Sequence, residues 1–402
     1  MPAPIARRTD LDWLRIGAFA LLIFYHIGMF YVTWDWHVKS SRAGPSLEPL
    51  MLATNPWRLL LLFIISGAAT RFMADKMSVG AFLGARSWRL LPPLLFAIFV
   101  IVPPQTYYEV VARGWSGSFG EFYAGYATAS GGWTYADGER LITPTYNHVW
   151  FVAYLFVYTL VLAGLRPLLK RLPRLSGLIA GPALILVPWL YLFAVRALLF
   201  PAFGETHALV DDWAAHAVYF AGFVFGYAIA KQDGFFAQCV RMRHWAIGLA
   251  IASYGVLMWA RATYDQGGAE PPAWGPLAAV GLREMQAWAM IVALIGYAHR
   301  HLRQGGPRAE SARRYLTDAI FPIYLVHQTI IVVVGWRLDA LALPLWQEAG
   351  LLIAATVAGC FLAYEIARRI SWLRPLFGLK LSPDRTKKFE PRGDEGHIKG
   401  EA

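Results

Sequence analysis

Apolar residues in this chain fall into long unbroken runs, not into the alternating or three-and-four spacing of surface elements. Ten runs stand at about 13–33, 57–74, 91–111, 148–166, 178–200, 212–230, 244–262, 276–298, 318–336 and 348–369. Each approaches the roughly 20 residues that an α-helix needs to cross a hydrocarbon core about 30 Å thick. Backbone in lipid must satisfy its hydrogen bonds internally, which such helices do. The pattern therefore predicts an all-α polytopic membrane protein with about ten transmembrane helices. Ahead of the third run, Val79 to Leu90 reads as a separate short amphipathic helix at the membrane surface, and Pro92-Pro93 suit the first turn of the span that follows. No internal repeat is evident, which weighs against a repeat-built transporter.

Composition and charge add orientation. Of 402 residues, 57% are apolar and only 16% charged, below the roughly 25% of soluble domains. Most of the 37 Lys and Arg residues lie in alternate loops, so the positive-inside rule puts both termini in the cytoplasm and loops 34–56, 104–147, 201–211, 263–275 and 337–347 outside. The net charge of +11 is dispersed over those loops, which excludes a nucleic-acid face. Cys239 and Cys360 offer no disulfide framework and read as packing residues. The first run follows Arg7-Arg8 as a signal peptide would, but it is long, carries Arg15 and His26 and lacks a small-x-small site, so it is expected to stay as the first span. Residues 9–380 form one membrane domain, and the charged, apolar-poor stretch 381–402 is expected to be a disordered cytoplasmic tail. The Gly-, Tyr- and Trp-rich loop 104–147 holds either interfacial anchors or a carbohydrate platform.

Ionisable residues inside spans are costly unless they face a partner or a wet cavity, which makes them candidates for chemistry. Arg15 and His26 lie eleven residues apart, almost three helical turns, so they share one face with His26 about 16 Å above Arg15. Asp12 sits three residues before Arg15, within reach of its guanidinium. Arg86 and Arg89, also three apart, form either an anchor for anionic lipid or a fork for phosphate oxygens. Ser66-Gly67 lets helices approach closely, by default for packing, and would also admit a slender ligand arm. His148 and Trp150 open the fourth span as cap and belt residues or as part of an acceptor site, and Tyr324 and His327 share a face in the ninth. Asp211-Asp212, Arg283-Glu284 and Glu365 stand at span ends, where snorkelling accounts for them. Walker, Rossmann and GxSxG patterns and zinc spacing are absent. What remains is an intramembrane histidine, able to act as a general base toward a hydroxyl, and a cytoplasmic arginine fork. A reaction joining an inner phosphate-bearing donor to an outer acceptor would use both.

These residues resemble membrane-bound acyltransferase family 3. Leu11-Asp12-Trp13-Leu14-Arg15 with His26, Ser66-Gly67, Arg86 with Arg89, and His148 with Trp150 and Phe151 match its motifs in order, over about residues 9–380. Trp36-His37-Val38-Lys39-Ser40, Ile323 to His327, Tyr364-Glu365-Ile366 and Arg369-Ile370 are similar to its periplasmic glucan succinyltransferase branch. The resemblance implies a multi-pass enzyme of the bacterial inner membrane that moves a succinyl or acetyl group from cytoplasmic acyl-CoA to a glycan hydroxyl. It makes acyl-CoA a donor substrate held by Arg86 and Arg89 beside Ser66 and Gly67, with no tightly bound cofactor and no metal. It makes His26 the base, or the carrier of a transient acyl group, with Arg15 and Asp12 at the entrance and His148, Trp150, Tyr324 and His327 toward the acceptor. Assembly of several copies is left open. The competing expectations are a proton-coupled exporter, whose path the same polar face would line, and a catalytically silent channel or scaffold subunit.

Overall fold

The computed structural model describes residues 8–134, 138, 140–169 and 180–381; the expected tail falls almost wholly outside them. Among the described residues there is no strand beyond one isolated bridge, Thr134 to Arg140. Among those residues, nine helical stretches are long and apolar enough to cross a membrane, and each overlaps an expected span. The remaining expected span, 212–230, sixth in the chain, is an apolar helix of 17 residues, Trp213–Ile229.

The helices used below are α1 (Thr9–Tyr31), α2 (Glu48–Ala74), α3 (Val79–Phe96), α4 (Pro103–Ala112), α5 (Phe119–Ala127), α6 (Trp150–Leu169), α7 (Ala183–Leu198), α8 (Trp213–Ile229), α9 (Asp233–Ala260), α10 (Gly275–His301), α11 (Pro307–Asp339) and α12 (Leu345–Arg369). Helix α1 begins with Asp10 and Asp12 in its first turn, where carboxylates complement the positive end of the helix dipole. The main pairings are α9 on α10, α8 on α2, α12 on α11, and α11 on α1.

One expected boundary is corrected. Val79 to Leu90 is not a separate surface helix: α3 starts at the Ser78 cap and runs through Pro92-Pro93 to Phe96, and a π-helical stretch, Ala97–Ile101, joins it to α4. A proline removes an intrahelical donor and crowds the preceding turn, yet neighbouring elements can re-satisfy the freed carbonyls and keep the helix going. That happens one turn further on, where Pro103-Pro104 open α4 and leave carbonyls of the widened turn without their amide donors. Tyr126, Tyr123 and Thr329 hydroxyls donate to the carbonyls of Ile98, Phe99 and Ile101 at 2.8, 3.0 and 2.7 Å. The loop expected outside consequently begins after Ala112, not at 104. Its aromatics pack on one another: Phe122 and Tyr126 are fully buried, with Trp115 and Trp133 against them.

The α2–α8 crossing rests on two glycines. A Cβ on Gly67 would sit 1.9 Å from the Phe223 carbonyl oxygen, and one on Gly226 would sit 1.9 Å from that of Ile64. The gap expected to admit a ligand arm beside Ser66-Gly67 is filled at Gly67 by α8.

Side-chain contacts also set the ends of the bundle level. Arg313 binds Asp12, and Tyr315 bonds Glu365 at 2.8 Å, so the start of α1, the start of α11 and the end of α12 share one end. At the far end Ser41 bonds Asp339 at 2.7 Å and Arg42 bonds the Ala342 carbonyl at 3.1 Å.

Candidate active site

A cavity of about 600 Å³ opens at the far end between α1, α2, α6, α11 and the segments 35–37, 145–148 and 205–207. His26 lies on its wall, and its Nδ1 is 2.7 Å from His327 Nε2, the two rings stacked at 12°. The partner of the other His327 nitrogen fixes the proton positions. His327 Nδ1 is 2.6 Å from the Tyr324 carbonyl oxygen, which can only accept, so Nδ1 carries the proton and Nε2 accepts. His26 Nδ1–H must therefore donate to it. Nε2 of His26 keeps its lone pair and has no protein partner among the described residues, while the ring faces the cavity. This is the form a general base requires.

The neighbouring histidines have no such freedom. His148 donates from Nε2 to the Leu325 carbonyl at 3.0 Å and accepts at Nδ1 from the Gln105 amide at 3.3 Å. His37 donates from Nδ1 to Glu109 at 2.5 Å and accepts at Nε2 from the Gln328 amide at 2.8 Å. Gln105, wholly buried, ties them together: its amide also donates to Thr329 at 2.6 Å, and its oxygen accepts from Gln328 at 3.1 Å. Tyr324 donates to the His148 carbonyl at 2.5 Å. Fully satisfied buried polar networks of this kind rigidify a site, and here the network holds the wall that His26 leans on.

The opposite wall is built by segment 204–212. Gly204, His207, Leu209 and Asp211 all have positive φ, a conformation costly for residues other than glycine that persists only where surroundings impose it. Asp212 imposes it. Fully buried, it accepts from the Thr206 and His207 amides at 3.1 and 3.0 Å and from the Tyr154 hydroxyl. Snorkelling is thus corrected for Asp212, and also for Glu284, which is buried and paired with Arg196 at 3.0 Å and Arg283 at 2.5 Å. The loop lays His207 flat on Trp150, ring centroids 3.9 Å apart, and presents Glu205 to the cavity. Burial alone would raise the Glu205 pKa, but hydrogen bonds from His207 at 3.0 Å and Tyr219 at 2.5 Å hold it down to about 2.

At the end that carries the first and last described residues, a second cavity of about 530 Å³ is lined by Arg8, Asp12, Arg15, Asp75, Lys76 and Lys231. Asp12 pairs with Arg15 at 3.8 Å, as expected from their spacing, but its hydrogen-bonded partner is Arg313, only 2% exposed. The two cavities lie on one seam. Leu11, Asp12 and Arg15 of α1 face Ile65, Ala69 and Phe72 of α2 below, and Phe19, Leu22 and His26 face Arg58, Leu59 and Leu62 above. Arg86 and Arg89 line neither; Arg86 donates to Thr159 of α6 at 3.2 Å.

The structure thus gathers His26, His148, Trp150 and Tyr324 around one cavity, with His327 directly behind His26, and places Asp12 and Arg15 in the other. The reading of the chain missed Arg58, Gln105, Glu205, His207 and Arg313. For Arg58 a signal existed: it stands inside the expected span 57–74, where an ionisable residue is costly without a partner or a wet cavity. For Glu205 and His207 none did, since the loop conformation that aims them comes from a residue on the next helix.

An all-helical bundle with a base-competent histidine on a cavity wall suits a membrane transferase, and comparison with known proteins gives the class. The profile of acyltransferase family 3, described as an acyltransferase domain, matches residues 8–365, and the chain belongs to that family. Among its relatives are the glucans biosynthesis protein C of Shigella boydii serotype 4 and that of Escherichia coli K12, each 28% identical over 162 residues. The similarity covers 39% of this chain and 38% of those proteins. No solved structure matches it.

Proposed function

We propose that the protein is an O-acyltransferase of the bacterial inner membrane that moves a succinyl or acetyl group from cytoplasmic acyl-CoA to a hydroxyl of a periplasmic or envelope glycan, with osmoregulated glucan the leading acceptor. The observation that carries this reading is the unpartnered Nε2 of His26, whose tautomer His327 fixes, on the wall of the far-end cavity. Nε2 takes the proton of the acceptor hydroxyl as its oxygen attacks the thioester carbonyl. The carbon–sulfur bond then breaks, and the proton passes from His26 to the departing thiolate. Protons balance, so no relay to solvent is needed. The same lone pair would serve if His26 itself carried the acyl group, and a labelled protein trapped before acceptor addition distinguishes that route.

The seam suits the donor. Its phosphates match the basin of Arg8, Arg15, Lys76 and Lys231, and its narrow pantetheine arm would run between α1 and α2 toward His26. This assigns phosphate binding to the basin in preference to Arg86 and Arg89. The stacked Trp150–His207 pair and the Glu205 carboxylate suit a sugar, through ring stacking and hydrogen bonds to hydroxyls.

The test uses purified protein in liposomes with radiolabelled acetyl- or succinyl-CoA and a glucan. Wild type should label the glucan, and His26→Ala should abolish labelling while its thermal unfolding stays unchanged. Flux of a small solute that survives in His26→Ala, with no acylated product from either protein, would instead identify an exporter.

A further inference from the structure

Arg58 stands on α2 in the wall of the His26 cavity, 4% exposed. Its guanidinium lies over the Tyr25 ring, Cζ 3.2 Å from the centroid, and Asn55 fixes that ring by donating to the Tyr25 hydroxyl at 3.1 Å. Nε and Nη1 are buried without a hydrogen-bond partner, and among the described residues Arg58 makes no ion pair. The carboxylate that shares the cavity wall, Glu205, is engaged by His207 and Tyr219. A buried cation without its anion is costly, and a chain that keeps one has a use for the field it creates.

We propose that Arg58 is the cation that receives the thioester carbonyl oxygen as acyl transfer turns it into an oxyanion. The geometry brings the two roles onto one surface. The Tyr25 ring is 6.2 Å from the His26 ring and carries Arg58 on its face, so base and cation flank a single aromatic ring on the same wall. A hydroxyl held about 2.8 Å from His26 Nε2 would attack a carbonyl lodged in the cavity whose wall Arg58 shares. As the oxygen–carbon bond forms, the carbonyl electron pair moves onto oxygen beside the guanidinium. When the carbon–sulfur bond breaks, the pair returns and Arg58 is unchanged. Because the guanidinium is held by its ring before substrate arrives, little reorganisation accompanies the charge, which is what makes such sites effective.

This inference rests on the acyltransferase reading, and the experiment separates the two. Wild type, Arg58→Gln and Arg58→Lys, full length in liposomes, are assayed with acetyl-CoA and with succinyl-CoA, alongside thermal unfolding. Arg58→Gln should lower kcat by about 10²- to 10³-fold with both donors and leave donor KM nearly unchanged. Arg58→Lys, which keeps charge but loses the planar fork, should fall between. A wild-type kcat in Arg58→Gln overturns the proposal. So does a loss confined to the carboxylate-bearing donor, which would make Arg58 a binder of the acyl tail, or a loss wholly in KM. If Arg58→Gln does not fold, Arg58→Lys decides: a folded variant with wild-type kcat overturns the proposal and a lowered kcat supports it. A wild type that transfers no acyl group overturns the acyltransferase reading on which the proposal stands.

Discussion

The chemistry of His26 depends on an atom it does not own, the Tyr324 carbonyl oxygen that fixes the proton of His327. Replacing His327 by Leu removes the acceptor that orients His26 and frees its ring to take either tautomer. Transfer should then fall by about 10²-fold or more, within the range general-base catalysis contributes, while donor KM holds. His327→Gln, whose amide oxygen can accept from His26 Nδ1, should recover part of the rate; equal rates in all three would remove the positioning role. Glu205 gives a separate handle. Its folded pKa of about 2 lies below the ordinary value of 4.5, so its stabilising contribution is fully present above about pH 4.5 and is lost as pH falls toward 2. Acid unfolding of Glu205→Gln should lack that part of the pH slope. An unchanged profile would mean that its hydrogen bonds to His207 and Tyr219 do not favour the ionised form.

Elements here carry constraints that single positions do not reveal. The α2–α8 crossing brings backbone to backbone at Gly67 and Gly226, where the atom in the way is a carbonyl oxygen and cannot rotate aside. Gly67→Ala should destabilise the protein by about 1–3 kcal/mol through overpacking, read as a lower unfolding temperature in detergent; an unchanged temperature would show that the crossing can open. That Ser66-Gly67 marks close packing was legible from residue type. The run of α3 through Pro92-Pro93 was not. Proline reports reliably on its own missing donor, whereas packing decides whether the helix continues; for Pro103-Pro104 the compensating hydroxyls come from Tyr123, Tyr126 and Thr329, in other elements. Segment 204–212 is of the same kind: four positive-φ residues held by Asp212, which read as a span-end charge when taken alone.

At the scale of the molecule, both described ends of the chain lie at one end of the bundle, level with the basic cavity, and the His26 cavity opens at the other. The positive-inside distribution predicts that the first end is the cytoplasmic one. Single cysteines test this cleanly because Cys239 and Cys360 are buried. Ile142→Cys, at an exposed far-end position, should react with a membrane-impermeant maleimide in cells whose outer membrane alone is permeabilised. Gln304→Cys, exposed at the opposite end, should react only after lysis, and the reverse pattern would invert the orientation. The sequence by itself determined the helical class, the placing of nearly every span and the polar stripe that carries Arg15 and His26, because hydrocarbon thickness and helix pitch act on consecutive residues. Only the tertiary structure decided which nitrogen of His26 is free, that Arg58 stands in the cavity wall, and that Arg86 and Arg89 line neither cavity. Each of those outcomes depends on a neighbour supplied by another element, as His26 depends on a histidine 301 residues away, and no local pattern records which distant side chain packing will bring alongside.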